Sequence, residues 1–208
     1  MVKRSATVFF LVGLVLSNPL WAADAAAGKG VYSVCLACHG ANGEGNASLN
    51  APALAGQAEW YAARQLNNFR QGIRGTNPKD AFGAQMRPMA MTLANDAAVA
   101  NVTAYTASLP AVKHSATLGG NADRGKTLYA TCAACHGVNA EGNQALNAPA
   151  LAGLQDWYVV RQVQNYKSGI RGSDAKDSFG AQMRPMAAML ADDQAIKDVA
   201  AYIVSLGK

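Results

Sequence analysis

Two short runs hold all four cysteines of this sequence: Cys35-Leu36-Ala37-Cys38-His39 and Cys132-Ala133-Ala134-Cys135-His136. Two thiols two residues apart, followed at once by histidine, read as a c-type haem attachment. The thiols add to the two porphyrin vinyl groups as thioethers. The two intervening residues let both sulfurs reach them, and the histidine then falls against the iron as proximal ligand. A lone C-x-x-C also suits a redox dithiol. A zinc site needs further cysteines or histidines, and outside the two runs there is only His114.

The second axial ligand is narrowed by elimination. No cysteine is spare, and one spare histidine cannot serve two irons. Apart from Met1, the methionines fall in two clusters within glycine-bearing segments that read as loops: Met86, Met89, Met91 and Met183, Met186, Met189. Only Met86/Met183 and Met89/Met186 recur at the spacing of the haem runs. A thioether on each iron gives His/Met ligation, which raises the reduction potential. Methionine also fills cores, and spacing leaves both candidates in each cluster open.

The elements that must position these groups are written twice. An offset of 97 residues, without a gap, carries Gly28 onto Gly125 and Asn50–Gly56 onto Asn147–Gly153. It also carries Trp60-Tyr61 onto Trp157-Tyr158, and Phe82–Ala90 unchanged onto Phe179–Ala187. This is a duplication of two small domains, since solenoids need three or more repeats. The division expected is a leader at 1–22, one domain at 23–110, a polar, glycine-bearing linker at 111–123 and a second domain at 124–208. Each copy reads as helical. Gly28 and Tyr32 lie one turn apart on a first helix. Ala62, Leu66, Phe69 and Ile73 form a helical stripe, as do Val159, Val163, Tyr166 and Ile170. A last helix begins near Asp96 (Asp193) and presents Val99, Val102, Tyr105 and Leu109. No alternating strand pattern appears, so the fold class is all-α.

Composition sets limits on function. The chain has 208 residues, 50% hydrophobic and only 15% charged, with aromatics at 7%. Domains of this size with few large side chains need a staple, which a covalent haem supplies. The net charge of +5 is spread along the chain without a basic run, which argues against nucleic acid as a partner. No apolar run reaches the ~20 residues of a membrane span. Lys3-Arg4, an apolar stretch from Ala6 to Leu16 and the small residues Ala22-Ala23 read as a secretory signal, which places the protein in the periplasm.

Other residues carry weaker signals. Arg64/Arg161 suit either haem propionates or a solvated helix face. Trp60/Trp157 and Tyr61/Tyr158 suit core packing, with a bond to a propionate as the alternative. Pro52/Pro149, thirteen residues after the histidines, are turn prolines or offer a carbonyl to the imidazole. His114 reads as a solvated linker side chain. Arg70, Arg74 and Arg87, with Lys167, Arg171 and Arg184, read as a basic patch near the haem-bearing loops that would steer an acidic partner.

The haem runs, the Gly-x-x-x-aromatic first helix, the proline, the methionine segment and the aromatic last helix together resemble class I cytochrome c. Two such units in tandem behind an export signal resemble the dihaem cytochrome c4 family over nearly the whole chain. The resemblance implies two domains related by a pseudo-twofold axis, with the haems facing across the interface. It implies two covalently bound haem c groups held by Cys35, Cys38, Cys132 and Cys135, with His39 and His136 as iron ligands. In the family the axial methionine lies seven residues before the leucine that leads into the last helix. Leu93 and Leu190 then select Met86 and Met183. The implied function is electron transfer rather than catalysis, in a monomer that meets redox partner proteins and associates at most peripherally with membrane complexes. A respiratory complex is the implied donor and a haem–copper terminal oxidase the acceptor. The alternative is an electron-accepting subunit of a flavin or sulfur-compound dehydrogenase.

Overall fold

The computed structural model describes residues 23–207, so the predicted leader lies outside the described residues. Within them the chain is helical and forms no strand. The first copy contains α1 (Ala25–Tyr32), α2 (Leu36–His39), α3 (Glu59–Arg70), α4 (Ala81–Met91) and α5 (Asp96–Ser108). The second contains α6 (Ala122–His136), α7 (Asp156–Lys167), α8 (Ser178–Ala188) and α9 (Asp193–Leu206). The order is the same in both, except that α6 runs unbroken through its haem motif where α1 and α2 are separate. Gly30 and Ser33 stand where the second copy has Thr127 and Ala130, and glycine weakens a helix interior.

Each unit is held by a crossing of its first and last helices. A Cβ on Gly28 would lie 1.9 Å from the Asn101 carbonyl oxygen, and one on Gly125 would lie 1.9 Å from that of Asp198. Only glycine permits this approach, which brings Tyr32 against Tyr105 at 5.2 Å between ring centres and Tyr129 against Tyr202 at 5.4 Å. The same crossing is pinned at its end. Asn101 Oδ1 accepts the Asp24 backbone N–H at 2.8 Å, and Asp198 Oδ1 accepts that of Asn121 at 2.8 Å. Tyr32, Leu93, Val99 and Val102 make the first core. The second is larger, because Ala200 and Ile203 replace Thr103 and Thr106 beside Tyr129, Ile196 and Val199.

Two elements differ from the sequence expectation. The methionine segments are helices, α4 and α8, started by Asp80 and Asp177, whose Oδ1 atoms accept the Gly83 and Gly180 backbone N–H groups at 2.9 Å each. Gly83 and Pro88 masked a run that is otherwise rich in good helix formers. The middle helices are shorter than their apolar stripes. Gly72 and Gly169 take φ of 74° and 71° just after α3 and α7, so Ile73 and Ile170 lie beyond the helix ends.

The linker is docked rather than loose. Buried Asp156 accepts from the Thr117 and Leu118 backbone N–H groups and from the Thr117 hydroxyl. His114 is half-buried rather than solvated, and burial pushes its imidazole below the usual histidine range against the pull of Asp156.

Candidate haem-binding cavity

The local fold around each histidine fixes its ring before any ligand is considered. Gly40 and Gly137, both at φ 83°, turn the chain out of the motif helix. The Tyr32 hydroxyl donates to the Gly40 carbonyl at 2.7 Å and that of Tyr129 to Gly137 at 2.9 Å. His39 Nδ1 donates to the Pro52 carbonyl at 2.8 Å, and His136 Nδ1 to Pro149 at 2.8 Å. A carbonyl can only accept, so Nδ1 carries the proton and Nε2 keeps its lone pair. Burial holds both imidazoles below the usual histidine range, against the pull of those carbonyls. The rings are therefore neutral at neutral pH, the form a metal binds.

All eight residues singled out in the sequence line one continuous cavity of about 500 Å³. Cys35, Cys38, His39 and Met86 line it together with Cys132, Cys135, His136 and Met183. Burial pushes the Cys35 and Cys132 thiols up, and no disulfide joins the four sulfurs. Met89 and Met186 also line the cavity, at 41% and 36% exposure, whereas Met86 and Met183 are half-buried. Met91 and Met189 lie outside it and are exposed.

The cavity crosses the boundary between the units, and arginines close that boundary. Arg64 donates to Asn147 Oδ1 at 2.9 Å and to its carbonyl at 3.0 Å; Arg161 donates to the same two atoms of Asn50. Asn50 and Asn147 sit at φ 56° and 55°, the left-handed region that asparagine tolerates, and this turns both polar groups towards the other unit. Each guanidinium also stacks across the boundary, Arg64 4.6 Å from the Phe179 ring centre and Arg161 4.1 Å from that of Phe82. These arginines are not a solvated face: they bond across the boundary and also line the cavity. Trp60 and Trp157 lie outside the cavity and carry Arg64 and Arg161 on their faces at 4.9 Å, while Tyr61 and Tyr158 line it. Gln155 adds a further link, donating to the Glu44 carbonyl at 3.0 Å and accepting the Ala53 N–H at 3.0 Å, and Gln57 answers it by donating to the Ala150 carbonyl at 3.0 Å.

The predicted basic patch survives only in part: of its six residues Lys167 and Arg184 are exposed. Arg74 and Arg171 are buried at the boundary, at 7% and 5% exposure. Arg70 pairs with Asp96 at 2.8 Å, and the Lys167 ammonium donates to the Leu190 and Ala191 carbonyls. Four arginines and two aspartates, Asp80 and Asp177, line the cavity. The Nε atoms of Arg74 and Arg171 are buried without a hydrogen-bond partner among the described residues. Burying more positive than negative charge is costly, and an anionic group in the cavity offsets it. A largely apolar lining, neutral imidazoles, paired thiols and surplus buried cations all fit a haem, whose macrocycle is apolar and whose propionates are anionic.

The sequence reading missed Asn50/Asn147 and Gln65/Gln162 as boundary residues. Their signal was recurrence, since each pair is identical at the 97-residue offset.

Comparison with known proteins agrees with this geometry. The cytochrome c family model matches residues 25–110 and 122–207. The chain is 35% identical to cytochrome c4 of Azotobacter vinelandii over 95% of each chain. It is 30% identical to the thiosulfate dehydrogenase electron acceptor of Stutzerimonas stutzeri strain A1501, over 95% of this chain and 93% of that one. The crystal structure of reduced recombinant cytochrome c4 from Pseudomonas stutzeri superposes with a TM-score of 0.74 at 31% identity, over 88% of this chain and 98% of that one. Fold and site thus define a tandem pair of cytochrome c domains. The chain belongs to the cytochrome c4 family: dihaem electron carriers, not enzymes, with two covalently bound haem c groups.

Proposed function

We propose that Cys35 and Cys38, and Cys132 and Cys135, carry the thioether links, and that His39/Met86 and His136/Met183 are the axial pairs. The observation that carries this reading is the twin His Nδ1–proline carbonyl bond, which leaves each Nε2 as the ligand atom in a cavity that also holds a half-buried methionine. A haem held here would supply one-electron chemistry. His39 with Met86 and His136 with Met183 would hold the two irons, leaving no place for a substrate ligand, so that electrons would pass by outer-sphere transfer. The proline carbonyls fix the imidazole planes, and the apolar walls exclude water.

The domains we infer are 23–110 and 124–208, joined by 111–123. The leader at 1–22 directs the chain to the periplasm, where it works as a monomer. Among the described residues no helix is long and apolar enough to cross a membrane. The partners we propose are a membrane-bound respiratory complex as donor and a haem–copper terminal oxidase as acceptor. A second reading, electron acceptor of a thiosulfate dehydrogenase, is favoured by the relative that bears that name.

Redox titration of the purified holoprotein, followed by visible and near-infrared spectra, tests the ligation. Two haems with methionine–iron charge-transfer bands are expected, and a bis-histidine or high-spin spectrum rejects the assignment. Partner choice is read by mixing. Rapid oxidation of the reduced protein by oxidase-containing membranes supports the first reading. Rapid reduction by thiosulfate and its dehydrogenase, with slow oxidation by those membranes, supports the second.

A further inference from the structure

At the centre of the boundary, two arginines and two glutamines form a crossed quartet. Gln65 Oε1 accepts from Arg74 of its own unit at 2.7 Å and from Arg171 of the other at 3.1 Å. Gln162 Oε1 accepts from Arg171 at 2.6 Å and from Arg74 at 3.4 Å. Each guanidinium is thus tied to both units. Each also lies over a ring of its own unit, Arg74 4.4 Å from the centre of Phe69 and Arg171 4.4 Å from that of Tyr166. Neither forms a salt bridge among the described residues. Tyr61 and Tyr166 face Arg171, and burial does not remove the charge of its guanidinium. Two like charges held together out of water are costly, so the arrangement calls for a compensating role.

We propose that Arg74 and Arg171 are shared tuning residues, each guanidinium raising the reduction potential of both haems rather than only that of its own domain. The proposal rests on the reading above that two haems occupy the cavity. Reduction adds an electron, so a fixed positive charge nearby favours the reduced state. The pair sits in a cavity common to both sites, where charge is weakly screened and its field reaches further than in water. The glutamines hold the pair in the middle, so neither charge can withdraw into its own unit.

The test is a spectroelectrochemical titration of the holoprotein. Haem content and the methionine–iron band are checked first in the wild type, so that failure of the haem assignment is recognised separately. Arg74→Gln is expected to lower both potentials, and Arg171→Gln to do the same. Arg74→Lys, which keeps the charge, shifts both less. If the wild-type potentials coincide, the whole wave moves without splitting. One potential moving in each variant, or a wave that splits into a moved and an unmoved half, overturns the proposal, as does no movement. Should the glutamine variants fail to assemble, Gln162→Glu places a negative charge at the same node without removing either arginine. It must also lower both potentials, and a shift confined to one haem overturns the idea.

Discussion

His39 and His136 owe their orientation to a carbonyl thirteen residues further along the chain. That contact was one of two readings the sequence left open for a proline at the same distance from both motifs, and the structure decides for it. The cysteines and histidines are proposed on firmer ground, because covalent attachment to a rigid macrocycle would dictate their spacing. The methionines were only half legible. Met86 and Met89 lie three residues apart on one helix and both reach the cavity, so periodicity cannot separate them; burial favours Met86. Met86→Ala or Met183→Ala is expected to remove about half of the near-infrared methionine–iron band of the oxidised protein and to lower one potential. If Met89→Ala or Met186→Ala produces that loss, the ligand lies one turn further on. Arg74 and Arg171 were misread as surface charge because nothing local marks a buried arginine. The glutamines that hold them lie nine residues before, and in the other repeat.

At the scale of elements, the first and last helices of each unit carry the fold, and the glycine between them was visible as Gly-x-x-x-Tyr. Gly28→Ala forces the Asn101 carbonyl away, and overpacking of this kind costs about 1–3 kcal/mol. Thermal unfolding of the holoprotein should show the first unit melting earlier, with the haem still attached. The second unit has its own weakness. Asp198 is held below the usual carboxylate range, chiefly by the Asn121 N–H, then by Gln194 and Arg124, against the effect of burial. A carboxyl whose folded pKa is depressed contributes stability above its unfolded pKa of about 3.9 and loses it as pH falls through the folded value. Asp198→Asn keeps an acceptor for Asn121, as Asn101 does in the first unit. Acid titration followed by circular dichroism should show the variant less stable at neutral pH and less sensitive below pH about 4. A parallel shift at every pH would assign the acid sensitivity elsewhere. The helical character of the methionine segments was not legible, because a glycine and a proline within nine residues outweigh capping signals that only the folded chain reveals.

For the molecule as a whole, duplication and the packed arrangement were legible, but not the means of packing. The bonds of Arg64 to Asn147 and of Arg161 to Asn50 join residues 83 and 111 apart, beyond the reach of any local pattern. Removing both cations tests how far they hold the units together. Arg64→Ala with Arg161→Ala should broaden the interdomain distance seen by solution scattering, while each unit keeps its haem spectrum. An unchanged profile would credit the Gln155 bonds and the docked linker instead.

Because each repeat carries both the arginine and the left-handed asparagine it meets across the boundary, either repeat is self-complementary. A single copy would present donor and acceptor to a second copy of itself in an isologous contact, the geometry of a twofold homodimer. Fusing the two copies replaces that concentration-dependent association with an intramolecular one, at the effective molarity set by a short tether. The two repeats are then free to diverge, as Gln155, Tyr166 and the docked linker have done, without losing their partner at dilution.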